Sequence, residues 1–462
     1  MREPDATTVS VNASGPAARA ADAATLRRRG AQMPVTGPDT ITVPGVVAGW
    51  ERLHAHGARL PWADALHAAA ALAEEGVVVA PSLGDAIGET DLGDLGLRTV
   101  FAPGGTPLAT GDLLRQPALA ATLGRLAADG PRAFYEGDVG ERLLAGLAAR
   151  GGLLGAADLH GFAAEVAAPL HARFAGVDVL TSPPNSSGVV LLQALAALDA
   201  AGTPEPLGPD AGVLAEILRV GAEDRDRLLG DPRSVEVDSA AWLARGRLEA
   251  VVERARAAAS GDRPPAALHG NRRPTGDTVA VVTADAGGRA VSLIQSLFHF
   301  FGAGILEPDT GVLLHNRGAF FSLREGHPNE LAPGRRPVHT LMPMTVERDG
   351  RLLGVLGTMG GKVQAQILVQ VLLRLLGGDS PQEAVDAPRW IAGGMEMGEL
   401  DDTIRIEDGC SAAARAALAR ARLRVFDLPR DSEWLGHAQA LWLDPQLSAG
   451  SDRRADGTAA VG

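Results

Sequence analysis

Chemistry in this chain is most readily placed at a threonine that heads an apolar, β-branched run. The stretch Gly276-Asp277-Thr278-Val279-Ala280-Val281-Val282-Thr283-Ala284-Asp285 puts Thr278 directly after a polar turn. Alternation predicts a strand over Val279–Ala284, a turn at Asp285-Ala286-Gly287-Gly288 and a returning strand over Arg289–Ser296. If the Asp277–Thr278 bond were cut, Thr278 would carry a free α-amine beside its own hydroxyl. That amine can serve as the base that activates the oxygen, so one residue would hold both nucleophile and base. The other reading is an ordinary threonine opening a strand, as β-branched residues often do.

The elements that would position Thr278 follow from the pattern around it. Upstream, Ser260–Thr275 carries Pro264-Pro265, Gly270-Asn271 and Arg272-Arg273-Pro274, and reads as a linker that runs into the strand. Downstream, Leu352–Leu356 reads as a strand broken by Gly357-Thr358-Met359-Gly360-Gly361 before a helix over Gln364–Leu376. Adjacent glycines between a strand and a helix offer backbone N–H groups at a helix N-terminus, which is what an oxyanion hole requires. Helices are predicted over Ala17–Arg29, Trp62–Glu75, Gly111–Ala128, Asp138–Gly151, Val189–Asp199, Val213–Leu229 and Ala240–Ala259, with a strand at Val177–Leu180. Asn185-Ser186-Ser187-Gly188 reads as a helix cap.

Composition narrows the functional classes. The chain has 462 residues, 46% of them hydrophobic but only 4% aromatic, so its core must be built from Ala, Leu and Val. A formal charge of −13 disfavours nucleic acid as a partner. One cysteine, Cys410, excludes an intramolecular disulfide and a cysteine-clustered zinc site, and the scattered histidines offer no metal-ligand spacing. Neither a metal nor a cofactor is expected. No apolar run approaches the roughly 18 residues that span a bilayer, and Met1-Arg2-Glu3-Pro4-Asp5 has no signal-peptide character, so the expectation is a soluble cytoplasmic protein without a membrane partner.

Several of these stretches together resemble the gamma-glutamyltranspeptidase family of N-terminal nucleophile hydrolases. They are Val43-Pro44-Gly45-Val46-Val47-Ala48-Gly49-Trp50, Phe134-Tyr135-Glu136-Gly137, Pro183-Pro184-Asn185-Ser186-Ser187-Gly188, Gly276-Asp277-Thr278, Gly302-Ala303-Gly304, Met359-Gly360-Gly361 and Asp386-Ala387-Pro388-Arg389, in the family's order. The resemblance implies an α+β fold, a four-layer αββα sandwich, made from one precursor that cuts itself before the nucleophile. Residues 1–277 would form the large-subunit region, ending in a linker at 260–277, and residues 278–462 the small-subunit region. The two fragments would stay associated, and a homodimer is compatible with this. By the same resemblance Thr278 is the nucleophile, Asp277 and Thr278 flank the cleavage site, Ser296 supports the nucleophile, and Gly360 and Gly361 hold the oxyanion. His339 and Thr340 fall where the family contacts the substrate carboxylate. The implied substrate is a small γ-glutamyl or acidic acyl amide.

The chain also departs from that pattern. Arg317 and Phe320 stand where transpeptidases grip the substrate's α-amino group, and Arg317 suits an extra carboxylate instead. Leu297 and Phe298 replace a stretch that usually offers an asparagine, and Pro16 stands near the place of an expected arginine. The family's opening helices have no counterpart, which suggests a truncated N-terminal part. Three readings follow: a threonine-nucleophile amidohydrolase of transpeptidase type, a truncated and catalytically silent homologue, and a glutaryl- or cephalosporin-type acylase.

Overall fold

The strand Arg351–Met359 is buried without interruption from Leu353 to Thr358, so both of its faces must be covered. The computed structural model, which describes residues 1–261, 276–394 and 402–461, shows what covers them. That strand is central in a six-stranded antiparallel sheet, in the order Ser448–Ser451, His437–Trp442, Arg351–Met359, Met344–Arg348, Val177–Thr181, Leu170–Phe174. Helix Gln364–Leu376 packs on its strands Arg351–Met359 and His437–Trp442, and helix Gly188–Ala201 packs on Leu170–Phe174 and Val177–Thr181. Helices Ala211–Leu228 and Arg245–Ala259 lie against Gly188–Ala201 in turn.

The hairpin predicted around Thr278 covers the same central strands. Gly276–Ala284 pairs with Ala290–His299 and packs on Arg351–Met359 and His437–Trp442. Val282, Ala284 and Ala290 form an apolar cluster there with Val355 and Leu441. Ser292 Oγ donates to Leu356 O at 2.8 Å. The contact is close because Gly357 lacks a side chain: a methyl group there would come within 3.1 Å of Ala280 Cβ and 3.3 Å of Ser292 Oγ. Gly354 is bare for a similar reason, since a methyl would overlap the ring of Trp442, its partner in register.

Apart from residues 296–299 of the returning strand, these elements belong to the first of two compact units, Met1–Ser10, Ala167–Gln295 and Thr340–Gly462. It also holds a three-stranded sheet of Trp390–Ala392, Thr403–Glu407 and Arg424–Leu428. Here Asp386-Ala387-Pro388-Arg389 is structural: Arg389 pairs with Asp452, while Arg454 bridges Asp452 at 2.8 Å and Glu407 at 2.5 Å, with no exposure at either partner.

The second unit, Val11–Val166 and Ser296–His339, is chiefly helical. Helix Trp62–Glu75 packs on Pro117–Asp129, and Trp62 Nε1 donates to Leu126 O at 2.8 Å. Two stretches singled out in the sequence meet here. Tyr135 Oη donates to Pro44 O at 3.0 Å and accepts from Ala48 N at 3.1 Å, which pins the start of helix Val46–Ala55. Gly15 and Gly45 are glycines because a methyl at either would overlap Val43 O or Ala13 O.

Helices Trp62–Glu75 and Gln364–Leu376 have the predicted bounds. Others differ. The first helix is only Ala23–Arg29, because the Asp22 side chain caps it while Ala17 N donates to Arg335 O. Gly111–Ala128 contracts to Pro117–Asp129, and Ala240–Ala259 splits into Ser239–Trp242 and Arg245–Ala259. The strand before the glycines continues through Gly357 to Met359, so only Gly360 and Gly361 break it. Thr278 is the third residue of its strand, which starts at Gly276. Apart from Ser260 and Gly261, the predicted linker Ser260–Thr275 lies outside the described residues. Each compact unit draws on chain from both sides of the Asp277–Thr278 bond.

Replacing Arg454 with Met leaves Glu407 and Asp452 as buried carboxylates short of a cation. The expected loss is about 3–5 kcal/mol of stability, measured by urea unfolding; an unchanged midpoint would show that the network is not the buried pair described.

Candidate functional site

The first unit holds Asp277, Thr278, Thr340, Gly360 and Gly361; the second holds Ser296, Arg317 and His339. In the first unit, strand Arg351–Met359 gives way to a 3₁₀ turn at Gly361–Val363 and then to helix Gln364–Leu376. Gly361 sits at φ +53°, left-handed space that favours glycine. Gly360 and Gly361 occupy the entrance of this turn, where N–H groups have no acceptor inside a helix and remain available. Gly360 is hemmed in: a methyl there would come within 2.5 Å of Ile367 Cδ1, and one at Gly436 within 3.1 Å of Gly360 Cα. Arg225, buried on helix Ala211–Leu228, donates from Nη1 to Lys362 O at 3.0 Å and so braces the turn from its other side.

The start of the Thr278 strand lies beside this turn, since a methyl at Gly276 would meet Met359 Sδ at 3.2 Å. Burial pushes the Asp277 carboxyl up to about 6. Thr340 is buried, and its hydroxyl has no hydrogen-bond partner among the described residues. The Asn185-Ser186-Ser187-Gly188 turn holds the segment that follows Thr340. Ser186 Oγ donates to Leu341 O at 2.6 Å, and Thr181 Oγ1 donates to Pro343 O at 2.8 Å. The capping role expected of this turn is only partial: Ser187, the N-cap residue, makes no side-chain cap, while Gly188 N reaches Ser186 Oγ at 3.2 Å.

In the second unit the structure brings Ser296 and Arg317 together. Ser296 Oγ accepts from Arg317 Nη2 at 3.2 Å and from Phe298 N at 2.9 Å. The guanidinium lies 4.2 Å above the Phe298 ring, which a φ of +80° turns into place. Phe320 closes on the same ring, its centroid 5.6 Å away. Among the described residues no carboxylate pairs with Arg317, whose Nη1 lacks any hydrogen-bond partner, although only 6% of the residue is exposed. Burial lowers its pKa to about 9. The same cause, with the Arg317 charge second, lowers His315 to about 4 and His339 to about 3, so both imidazoles are neutral at pH 7. The sequence marks Phe298 only as a departure from the family's asparagine: nothing in the local pattern announces a phenylalanine in left-handed conformation under a cation.

Burial, with Glu407 adding to it, pushes the Cys410 thiol up to about 11, which leaves it a poor nucleophile. Among the described residues no group of three or more His, Cys, Asp or Glu could hold a metal ion, and no helix is long and apolar enough to cross a membrane.

The profile of the gamma-glutamyltranspeptidase family matches residues 1–462. The chain belongs to that family. It is 34% identical to the oxamate amidohydrolase proenzyme of Klebsiella pneumoniae over 99% of this chain and 88% of that one. It is 33% identical to the glutathione hydrolase-like YwrD proenzyme of Bacillus subtilis over 93% and 82%. Its fold is similar to that of cephalosporin acylase from Bacillus halodurans, with a TM-score of 0.87 and 28% identity over 98% of this chain and 85% of that one. Relatives in this family are named as hydrolases and acylases, several of them as proenzymes.

The Asp277 carboxyl supplies a pH test. Its folded pKa of about 6 lies above the ordinary value of 3.8, so the folded chain binds the extra proton. The stability this gives is complete below about 4 and is lost as pH rises through 6. In an uncut Thr278→Ala chain, adding Asp277→Asn should remove a loss of about 2–3 kcal/mol between pH 4 and 7, read from urea midpoints. Equal pH slopes for the two variants would contradict the burial of this carboxyl.

Proposed function

We propose that this protein is a threonine-nucleophile amidohydrolase that cuts its own chain between Asp277 and Thr278 and then hydrolyses small amides whose acyl group carries a carboxylate. Thr278 Oγ attacks the Asp277 carbonyl carbon, the acyl group passes from nitrogen to oxygen, and water hydrolyses the ester. This leaves a carboxylate on Asp277 and a free amine on Thr278. That amine then takes the hydroxyl proton during attack on substrate, and an acyl-enzyme ester forms as the leaving amine departs with a proton. Gly360 and Gly361 N–H groups receive the oxyanion. Thr340 and His339 contact the substrate, and Ser296 sets the guanidinium of Arg317. We read the fold as the four-layer αββα sandwich of N-terminal nucleophile hydrolases; helices, six-stranded sheet and hairpin supply three successive layers in support.

The observation that carries the substrate class is Arg317. A guanidinium buried with no anionic partner among the described residues is costly in the empty protein, and a bidentate carboxylate is the ligand that offsets this. The family's usual glutamyl recognition needs groups for an α-amine, and Arg317 and Phe320 stand in their place. Relatives named for oxamate and for acylase activity fit an acidic acyl amide. A glutaryl-type substrate is the second reading, favoured by the Phe298 and Phe320 rings beside the cation, which suit a short methylene chain.

The test is a panel of amides given to the cleaved protein: oxamate, glutaryl p-nitroanilide, γ-glutamyl p-nitroanilide and an uncharged pentanoyl p-nitroanilide. One of the two acidic amides lacking an α-amine should be turned over best. Arg317→Met should lower its kcat/KM by roughly 100-fold, as for loss of a charge-assisted pair, and leave the pentanoyl rate unchanged. The same variant should be more stable than wild type by about 1–4 kcal/mol, because an uncompensated buried charge is gone. Equal losses on acidic and neutral amides, or a preference for the γ-glutamyl compound, would overturn this assignment.

A further inference from the structure

Helix Gln364–Leu376 buries three glutamines, and two of them have an evident structural task. Gln366 donates from Nε2 to Ala392 O at 2.6 Å and accepts from Ala392 N at 2.8 Å. One turn later Gln370 donates to Trp390 O at 2.7 Å and accepts from Trp390 N at 3.3 Å. Both amides therefore clamp the backbone of strand Trp390–Ala392, as residues four apart on one helix face can. Gln364 is different. It is completely buried, yet neither Oε1 nor Nε2 has a hydrogen-bond partner among the described residues. Two residues before Gln366, it points about 200° around the helix axis from the clamping face.

What lies on that side is the glycine turn. A methyl group at Gly360 would come within 3.7 Å of Gln364 Cγ, and Met359, the residue before Gly360, touches the start of the Thr278 strand at Gly276. A buried amide with both ends unused, beside two backbone N–H groups at a helix entrance, is costly unless something polar comes to meet it. We propose that Gln364 is a further catalytic residue, whose Nε2–H joins the Gly360 and Gly361 N–H groups on the oxyanion formed when Thr278 attacks a carbonyl. This rests on the reading of Thr278 as nucleophile and of the glycines as oxyanion donors. A donor with no partner in the resting protein that gains one only as the tetrahedral oxyanion forms acts on the transition state rather than on the ground state. The same donor would serve self-cleavage, where the oxyanion is the former Asp277 carbonyl oxygen, and substrate hydrolysis alike.

Self-cleavage tests this without any substrate. Fresh protein is sampled over time, the fraction cut at Asp277–Thr278 is read by denaturing mass spectrometry, and the thermal midpoint is measured alongside. Gln364→Leu should slow cleavage by about 100-fold, the usual effect of removing one oxyanion donor, while the midpoint stays the same or rises. Gln366→Leu, which breaks the clamp, should do the reverse, lowering the midpoint with little change in cleavage rate. Gln364→Met serves the same purpose should the leucine variant fail to fold. Wild-type cleavage rates in Gln364→Leu or Gln364→Met, with Thr278→Ala uncut, would overturn the role of Gln364 alone. If wild type stays uncut, or Thr278→Ala still cuts, the reading of Thr278 falls and this proposal falls with it.

Discussion

The central strand Arg351–Met359 must end against the entrance of helix Gln364–Leu376, and this constraint organises the first unit. A strand that turns at once into a helix needs a residue in left-handed space, which Gly361 supplies at φ +53°. The turn has no room for side chains on its inner side, since a methyl at Gly360 meets Ile367 and one at Gly436 meets the Gly360 backbone. Arg225 then holds it from helix Ala211–Leu228 through Lys362 O. Donors left over by the helix are thereby fixed in direction before any substrate arrives, which is the condition under which hydrogen bonds stabilise a developing charge most effectively. The hairpin bearing Thr278 is laid on the same strand, tied by Ser292 to Leu356 and by Gly357 to Ala280.

The second unit supplies a contrasting kind of preparation. Arg317 is held over Phe298 by cation–π contact and by Ser296, and burial lowers its pKa to about 9. Histidines 315 and 339 are kept neutral by burial and by that charge, so they add no competing cation. Such an arrangement costs stability in the empty protein, a trade common where a site must recognise a charged group.

Much of this was legible in the sequence, and the parts that were not have physical reasons. Helices Trp62–Glu75 and Gln364–Leu376 show their bounds because proline or glycine precedes each and apolar spacing continues throughout. Local pattern placed Thr278 near the head of a strand and the paired glycines between a strand and a helix, while the roles proposed for them come from the resemblance to the family. Gly357 misled, because glycine usually breaks a strand, whereas here it is selected by the approach of Ala280 and Ser292. Alanine-rich Ala17–Arg29 looked helical throughout, but tertiary pairing of Ala17 with Arg335 outweighs propensity. Phe298 and Gln364 gave no local signal at all: one matters through a backbone twist, the other through what its amide fails to touch.

Every role proposed for Thr278 requires cleavage of the bond between Asp277 and Thr278. Denaturing mass spectrometry of the purified wild-type protein, with N-terminal sequencing of each species, tests it most directly. Two fragments are expected, one ending at Asp277 and the other beginning with a free Thr278 amine. A single uncut chain of 462 residues, or a junction at any other bond, would contradict it.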